Sequence, residues 1–330
     1  MELPEPNIPG LIWAFRFDPA TKGWQSLPFD VRGEDLISEE GFVWLHLGLS
    51  DARVTSFIET IKDFDEEARL ELTSRNYREH LSTTQQSVCG TLVDFQRGFD
   101  EKGAEIGWLH FAVTNKIIVT TRLKPLRSLD RVRSILEKTT RVRSPLDVFA
   151  LLVTEFQRTV LDVVVETTET LNDIEDIVYE ESSQDGTRDL TPARRMIVRL
   201  NRHLRTELAL LRRAAAEDEE DLFPGLDDVA DDLIARIEMV ERDVTSLQDR
   251  ARLLHEEINT KATTQTNRHL YILSILTAFL MPPTLVTGFF GMNTENLPFT
   301  ETSAGTFLAF MLIVASVGFA WWLLRKADII

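Results

Sequence analysis

The chain has 330 residues, of which 43% are hydrophobic, enough for two domains and a packed core. Its formal net charge of −17 excludes a nucleic-acid binder, which needs a basic face; it suits a solvated acidic surface or a protein that repels anions and gathers cations. Cys89 is the sole cysteine, which excludes a disulfide framework and argues against a cysteine-rich zinc site; its strand-like surroundings, Ser87-Val88-Cys89-Gly90-Thr91-Leu92-Val93, mark it as core.

The opening residues, Met1-Glu2-Leu3-Pro4-Glu5-Pro6, have neither the basic start nor the apolar run of a signal peptide. The bulk of the chain is therefore expected to stay on the side where it is made. Residues 1–145 alternate in pattern and predict an α/β domain. Strands are expected over 11–17, 42–47, 86–95, 108–113 and 117–121, with Asp100-Glu101-Lys102-Gly103 and Thr114-Asn115-Lys116 as turns. One helix is expected over 51–72 and another over about 125–138.

Residues 146–269 predict a helical stalk. A first helix covers 146–182 and is broken by Gln184-Asp185-Gly186-Thr187. Pro192 is expected to start the second, at a position that favours proline, and that helix runs to about Ala216. The acidic run to Asp221 and the turn Phe223-Pro224-Gly225 follow. The third helix begins near Leu226 and meets no breaker before Pro282. Its apolar positions Val229, Leu233, Ile237, Val240, Val244, Leu247, Ala251, Leu254 and Ile258 step in fours and threes, as in a coiled-coil seam. Carried to Phe290, it would be about 100 Å long at ~1.5 Å per residue.

Residues 270–330 predict a two-helix transmembrane domain. Stretches 270–290 and 306–324 carry no charge, and each is close to the ~20 residues that cross the hydrocarbon core. The short loop 291–305 makes them a hairpin. Arg268 precedes the pair and Arg325 and Lys326 follow it, whereas the loop holds Glu295 and Glu301 and no Lys or Arg. The positive-inside rule puts both termini in the cytoplasm, and Trp321 and Trp322 fall where an aromatic belt is expected.

Stepping in threes and fours along the long helix gives a second stripe. Glu256, Thr260 and Thr263 lead to Asn267, Leu270, Ser274, Thr277, Met281, Thr284 and Gly288, and the stripe ends at Gly291. A face of small and hydroxyl side chains in lipid needs a partner or water. Two readings fit it: close helix packing through small residues, or an aqueous pore lined by one helix from each of several subunits. The pore requires a symmetric ring.

Directly after the first span stands Gly291-Met292-Asn293. This resembles the Gly-Met-Asn signature that ends the first membrane helix of the CorA family of divalent-cation transporters. Pro282, Thr284, Gly288 and Phe290 resemble family types, and Asn267, Leu270, Leu273 and Met281 match its pore-lining positions. Asn267-Arg268-His269-Leu270-Tyr271, the run from Pro282 to Gly288 and Trp44-Leu45-His46-Leu47 look most like the ZntB branch of bacterial zinc transporters. Enteric members of that branch tend to carry Gly-Val-Asn, so Met292 departs toward the magnesium-type signature. The resemblance implies an α+β membrane protein of the bacterial inner membrane, assembled as a funnel-shaped homopentamer embedded in lipid. Gly291, Met292 and Asn293 would form the outer selectivity site. Asn293 and Glu295 would touch a hydrated ion transiently, with Glu301 beside them at the mouth. The transported ion would be Zn²⁺ or Mg²⁺, with Co²⁺, Ni²⁺ and Cd²⁺ as further candidates, and no resident cofactor is expected.

Other candidates carry less. His255-Glu256-Glu257-Ile258-Asn259 begins like a zinc-protease motif, but Asn259 replaces the second ligand. His46 and His110 lie in strands and are expected in or beside the core; His269 is expected at the membrane edge. No phosphate-binding loop or nucleophile triad appears, so no enzymatic activity is expected. The acidic pairs Asp227-Asp228 and Asp231-Asp232 predict a solvated surface. A membrane-anchored scaffold or sensor would explain the seam but not the polar stripe.

Overall fold

The computed structural model describes residues 7–18, 23–31, 41–97, 105–136, 142–180, 184–217, 222–292 and 305–327. The chain divides into two compact units, residues 1–180 with 185–254, and residues 181–184 with 255–330.

The first unit is built on a seven-stranded sheet in the order β2-β1-β3-β7-β6-β5-β4. The strands are β1 (Leu11–Asp18), β2 (Gly23–Ser26), β3 (Phe42–Gly48), β4 (His80–Thr83), β5 (Val88–Phe95), β6 (Ile106–Val113) and β7 (Ile117–Arg122). β3 and β7 pair in parallel and the other neighbours are antiparallel. β5 and β7 are buried along their whole length, because helices cover both faces of the sheet. The expected strands all form. β2 and β4, four residues each, add edges that the sequence pattern did not reveal.

One face packs on α1 (Arg53–Thr60) and α2 (Glu66–Thr73), where Val54, Ile58, Ala68 and Leu72 meet Val43, Leu45, Ala112 and Val119. The single helix expected over 51–72 is thus two. Ile61 is extended, and the Asp65 side chain accepts from the Ala68 N–H at 2.8 Å. That cap restarts the helix after a turn that buries Phe64.

The other face packs on α3 (Arg127–Leu136) and α4 (Pro145–Glu180). Phe111 meets Phe149 of α4 at 4.9 Å between ring centroids, and Phe95 stacks on Phe156 at 6.0 Å.

Two further helices complete the layer. α5 (Gln184–Ala215) starts at Gln184 and contains Pro192, which the sequence reading placed at its start. Proline removes one backbone bond, at about 3 kcal/mol. Leu190, Ile197, Leu200 and Leu204 are buried on either side of it, and each fully buried side chain contributes about 2 kcal/mol. Burial therefore outweighs the break. α6 (Leu226–Phe290) is continuous, as expected. Its buried seam runs through Leu226, Ala230, Leu233, Ile237, Val240, Val244 and Leu247, so Ala230 takes the place expected of Val229, which is only half-buried. Arg250 of α6 binds Glu175 of α4 at 2.6 and 2.8 Å and Asn172 at 2.6 Å.

The second unit holds the end of α6 and α7 (Gly305–Lys326), both long and apolar enough to cross a membrane.

Candidate functional site

Beyond Ile258 no residue of α6 is buried, but its sides differ. Ile275, Ala278, Phe279, Pro282, Pro283, Val286 and Phe290 are half-buried and share one flank. The stripe from Glu256 through Thr260, Thr263, Asn267, Leu270, Ser274, Thr277, Met281 and Thr284 to Gly288 lies on another, and every one of these residues is exposed, as is Leu273 at its edge. One chain therefore covers the apolar flank in part and leaves the stripe bare.

The hydroxyls of the stripe are oriented by their own helix. Thr260, Thr263, Ser274 and Thr277 each donate to the carbonyl four residues back at 2.8 Å, and Thr284 donates to Leu280 O at 2.7 Å. The hydroxyl hydrogen is spent inside the helix. What remains facing outward is oxygen lone pairs. A hydrated cation presents the hydrogens of its water shell, so these hydroxyl oxygens are matched to cations; the Asn267 amide adds an acceptor oxygen and also N–H donors.

Two features shape the outer half. Pro282 and Pro283 have no N–H, so the carbonyls of Ala278 and Phe279 lose their backbone donors. The same stretch carries an open groove of about 850 Å³, lined by Thr277, Met281, Thr284, Gly288 and Met292 among others. A side chain at Gly288 would meet nothing within 4 Å in one chain, so no packing within the chain calls for glycine there. At the helix end, Gly291 N–H bonds Thr287 O at 2.9 Å, and a Cβ at Gly291 would sit 3.0 Å from that oxygen. Met292 is exposed. Asn293, Glu295 and Glu301 lie outside the described residues. α7 ends with Arg325 over Trp321 and Lys326 over Trp322, each 5.2 Å from the ring centroid. Cation and indole together suit a membrane surface.

The discounted candidates sit as follows. His46 is buried, with Nδ1 2.9 Å from Thr120 Oγ1; burial first, then Arg122, holds its pKa well below the ordinary value. His110 is buried beside Thr91, 3.9 Å from Glu71. His255 is half-buried and Asn259 and His269 are exposed. Cys89 is core; burial, with Glu67, Asp65 and Glu71 nearby, pushes its thiol up to about 12, which leaves it unreactive. Among the described residues, no group of three or more His, Cys, Asp or Glu is placed to hold a metal ion.

The sequence reading missed one buried charged group. Glu79, just before β4, meets His203 Nδ1 at 2.9 Å, and Glu207 lies one turn beyond His203 on α5. The spacing of His203 and Glu207 on one helix face was a legible signal; their partner 124 residues away was not.

A family model described as "CorA-like Mg2+ transporter protein" matches residues 39–326. A curated relative, "Zinc transport protein ZntB" of Pectobacterium atrosepticum, is 23% identical over 301 residues, which is 89% of this chain and 90% of that one. The solved structure of full-length CmaX superposes with a TM-score of 0.78 at 20% identity, covering 98% of this chain and 99% of that one. The CorA magnesium transporter from Methanocaldococcus jannaschii superposes with a TM-score of 0.74 at 13% identity, covering 97% and 99%.

Proposed function

The chain belongs to the CorA-like Mg2+ transporter family, and from that premise we infer that it carries divalent metal ions across a membrane along the exposed stripe of α6. The observation that carries this is the state of the stripe: uncovered from Glu256 to Gly288, with its hydroxyl hydrogens bonded inward and its oxygens left outward. One hairpin cannot enclose a path, so copies of the chain gather around an axis; we take five as the number and the bacterial inner membrane as the place. On the Gly-Met-Asn signature we assign Asn293 and Glu295, with Gly291, Met292 and Glu301, to the outer mouth. Arg268, Arg325 and Lys326 keep both termini in the cytoplasm.

Zn²⁺ is placed ahead of Mg²⁺ because curated relatives are named as zinc transport proteins. A second reading, a channel for Mg²⁺, Co²⁺ or Ni²⁺, is favoured by Met292, where enteric ZntB proteins tend to carry valine. For either ion the membrane potential supplies about 2.3 kcal/mol per charge per 100 mV, and a divalent ion gains twice that on entry.

The test is metal flux into liposomes holding the purified chain, with and without a pH gradient. Flux above that of empty liposomes is expected, and the Asn293→Ala variant should lose preference for divalent over monovalent ions. Equal flux from loaded and empty liposomes would leave a membrane-anchored scaffold as the better account.

A further inference from the structure

The second polar feature of the molecule lies in the first unit. Glu207 of α5 is 5% exposed, and neither of its carboxyl oxygens has a hydrogen-bond partner. His203, one turn earlier, is bound to Glu79 at 2.9 Å, with side-chain exposures of 7% and 9%. The Trp108 ring of β6 stands edge-on to His203 at 6.1 Å.

The charged groups that act on Glu207 are Glu79 and Asp94, both carboxylates. Asp94 on β5 is itself buried, held by Ser128 Oγ at 2.6 Å and by the Phe95 N–H at 2.7 Å. On α4 the buried polar groups near mid-helix are Glu155, paired with Arg158 at 2.6 Å, Gln157, whose Nε2 has no partner, and Thr159 and Thr167, which donate to Glu155 O and Val163 O. On the solvent side of α5, Arg205 and Arg212 bind Glu241 and Glu238 of α6 at 2.8 and 2.6 Å.

An ionised carboxylate at Glu207 would be out of water, without a donor, beside two like charges. A neutral acid removes both charge costs and leaves only the smaller cost of an unpaired buried carboxyl. We propose that Glu207 is a proton-binding site of the first unit, occupied at neutral pH, whose ionisation in mild alkali loosens α5 from the sheet at Glu79 and Trp108. The ion pairs of Arg205 and Arg212 pass that loosening to α6, the helix whose later residues form the stripe.

Burial, with Glu79 and Asp94, raises Glu207 from 4.5 to about 8. The folded chain thus keeps a proton that the unfolded chain has released. The stability this supplies is complete below pH 4.5 and is lost as pH rises through about 8.

The test uses the full chain in detergent without added metal, so it is independent of transport. The infrared C=O band of a neutral carboxylic acid should be present below pH 8 and vanish above it. Glu207→Gln should lack that band and keep its thermal midpoint where the wild type loses its own. Asp94→Asn should retain the band at neutral pH, since Asp94, raised only to about 6, is ionised there. Glu79→Gln removes a like charge and should lower the pH of disappearance by about one unit, a tenfold weaker hold on the proton. A band unchanged in Glu207→Gln, or identical pH dependence of the two thermal midpoints, would overturn the proposal. If Glu207→Gln does not fold, a band that does not move in Glu79→Gln overturns it instead.

Discussion

Glu79 and His203 form a buried pair, and a buried pair is costly to break from one side. Removing the imidazole leaves the Glu79 carboxyl out of water without its hydrogen-bond partner. His203→Ala should therefore lower stability by about 1–3 kcal/mol, read from denaturant unfolding of the detergent-solubilised chain. Replacing both partners together, as Glu79→Gln with His203→Gln, should cost less than the sum of the two single changes; additive costs would show that the contact is not formed. This pair was illegible because its members come from separate elements, and no residue pattern links a position before an edge strand to the middle of a helix. His46 was legible: a histidine within a continuous apolar run has no route to water, and burial keeps it neutral.

At the scale of the element, α6 changes its surroundings and its surface changes with them. The seam from Leu226 to Leu254 is Leu, Ile, Val and Ala, buried at each step of three or four. From Glu256 the exposed stripe takes over on the same continuous helix. Thr277→Val tests the stripe, because valine keeps the shape and removes the oxygen. If the stripe is a packing face, flux and assembly should hardly change. If it faces hydrated ions, each ring loses acceptors worth about 1 kcal/mol, and flux should fall about fivefold with assembly intact. Helix interruptions were the least legible feature. Asp65 caps a helix inside the stretch expected to be one, and Pro192 fails to interrupt where a proline normally would. At Pro192 side-chain burial on the neighbouring turns decides against local propensity; at Asp65 a local cap does so together with the burial of Phe64.

At the scale of the molecule, one chain is incomplete. It leaves a hydroxyl-bearing face bare over residues expected to lie in lipid, and only further copies or water can cover it. Native mass measurement of the detergent-solubilised protein should give five copies in a closed ring. A monomer or dimer would remove the enclosed path and the transport reading with it. The net charge of −17 belongs to this scale as well: repeated around the proposed ring, it would draw cations toward the assembly and keep anions away.

Period and span length are properties of the local chain, and they were enough to mark most of its elements. Span length marked the two long apolar helices, the three-four steps marked both faces of α6, and short apolar runs bounded by turn residues marked the five central strands, because each is a local feature of the chain. Tertiary structure decided what depends on neighbours. β2 and β4 are strands because β1 and β5 lend them hydrogen bonds. The sheet order rests on pairings between strands far apart in sequence, such as β3 with β7. The burial of Glu207 and the carboxyls of Glu79 and Asp94 that act on it come from distant parts of the chain, so its raised pKa is a tertiary property.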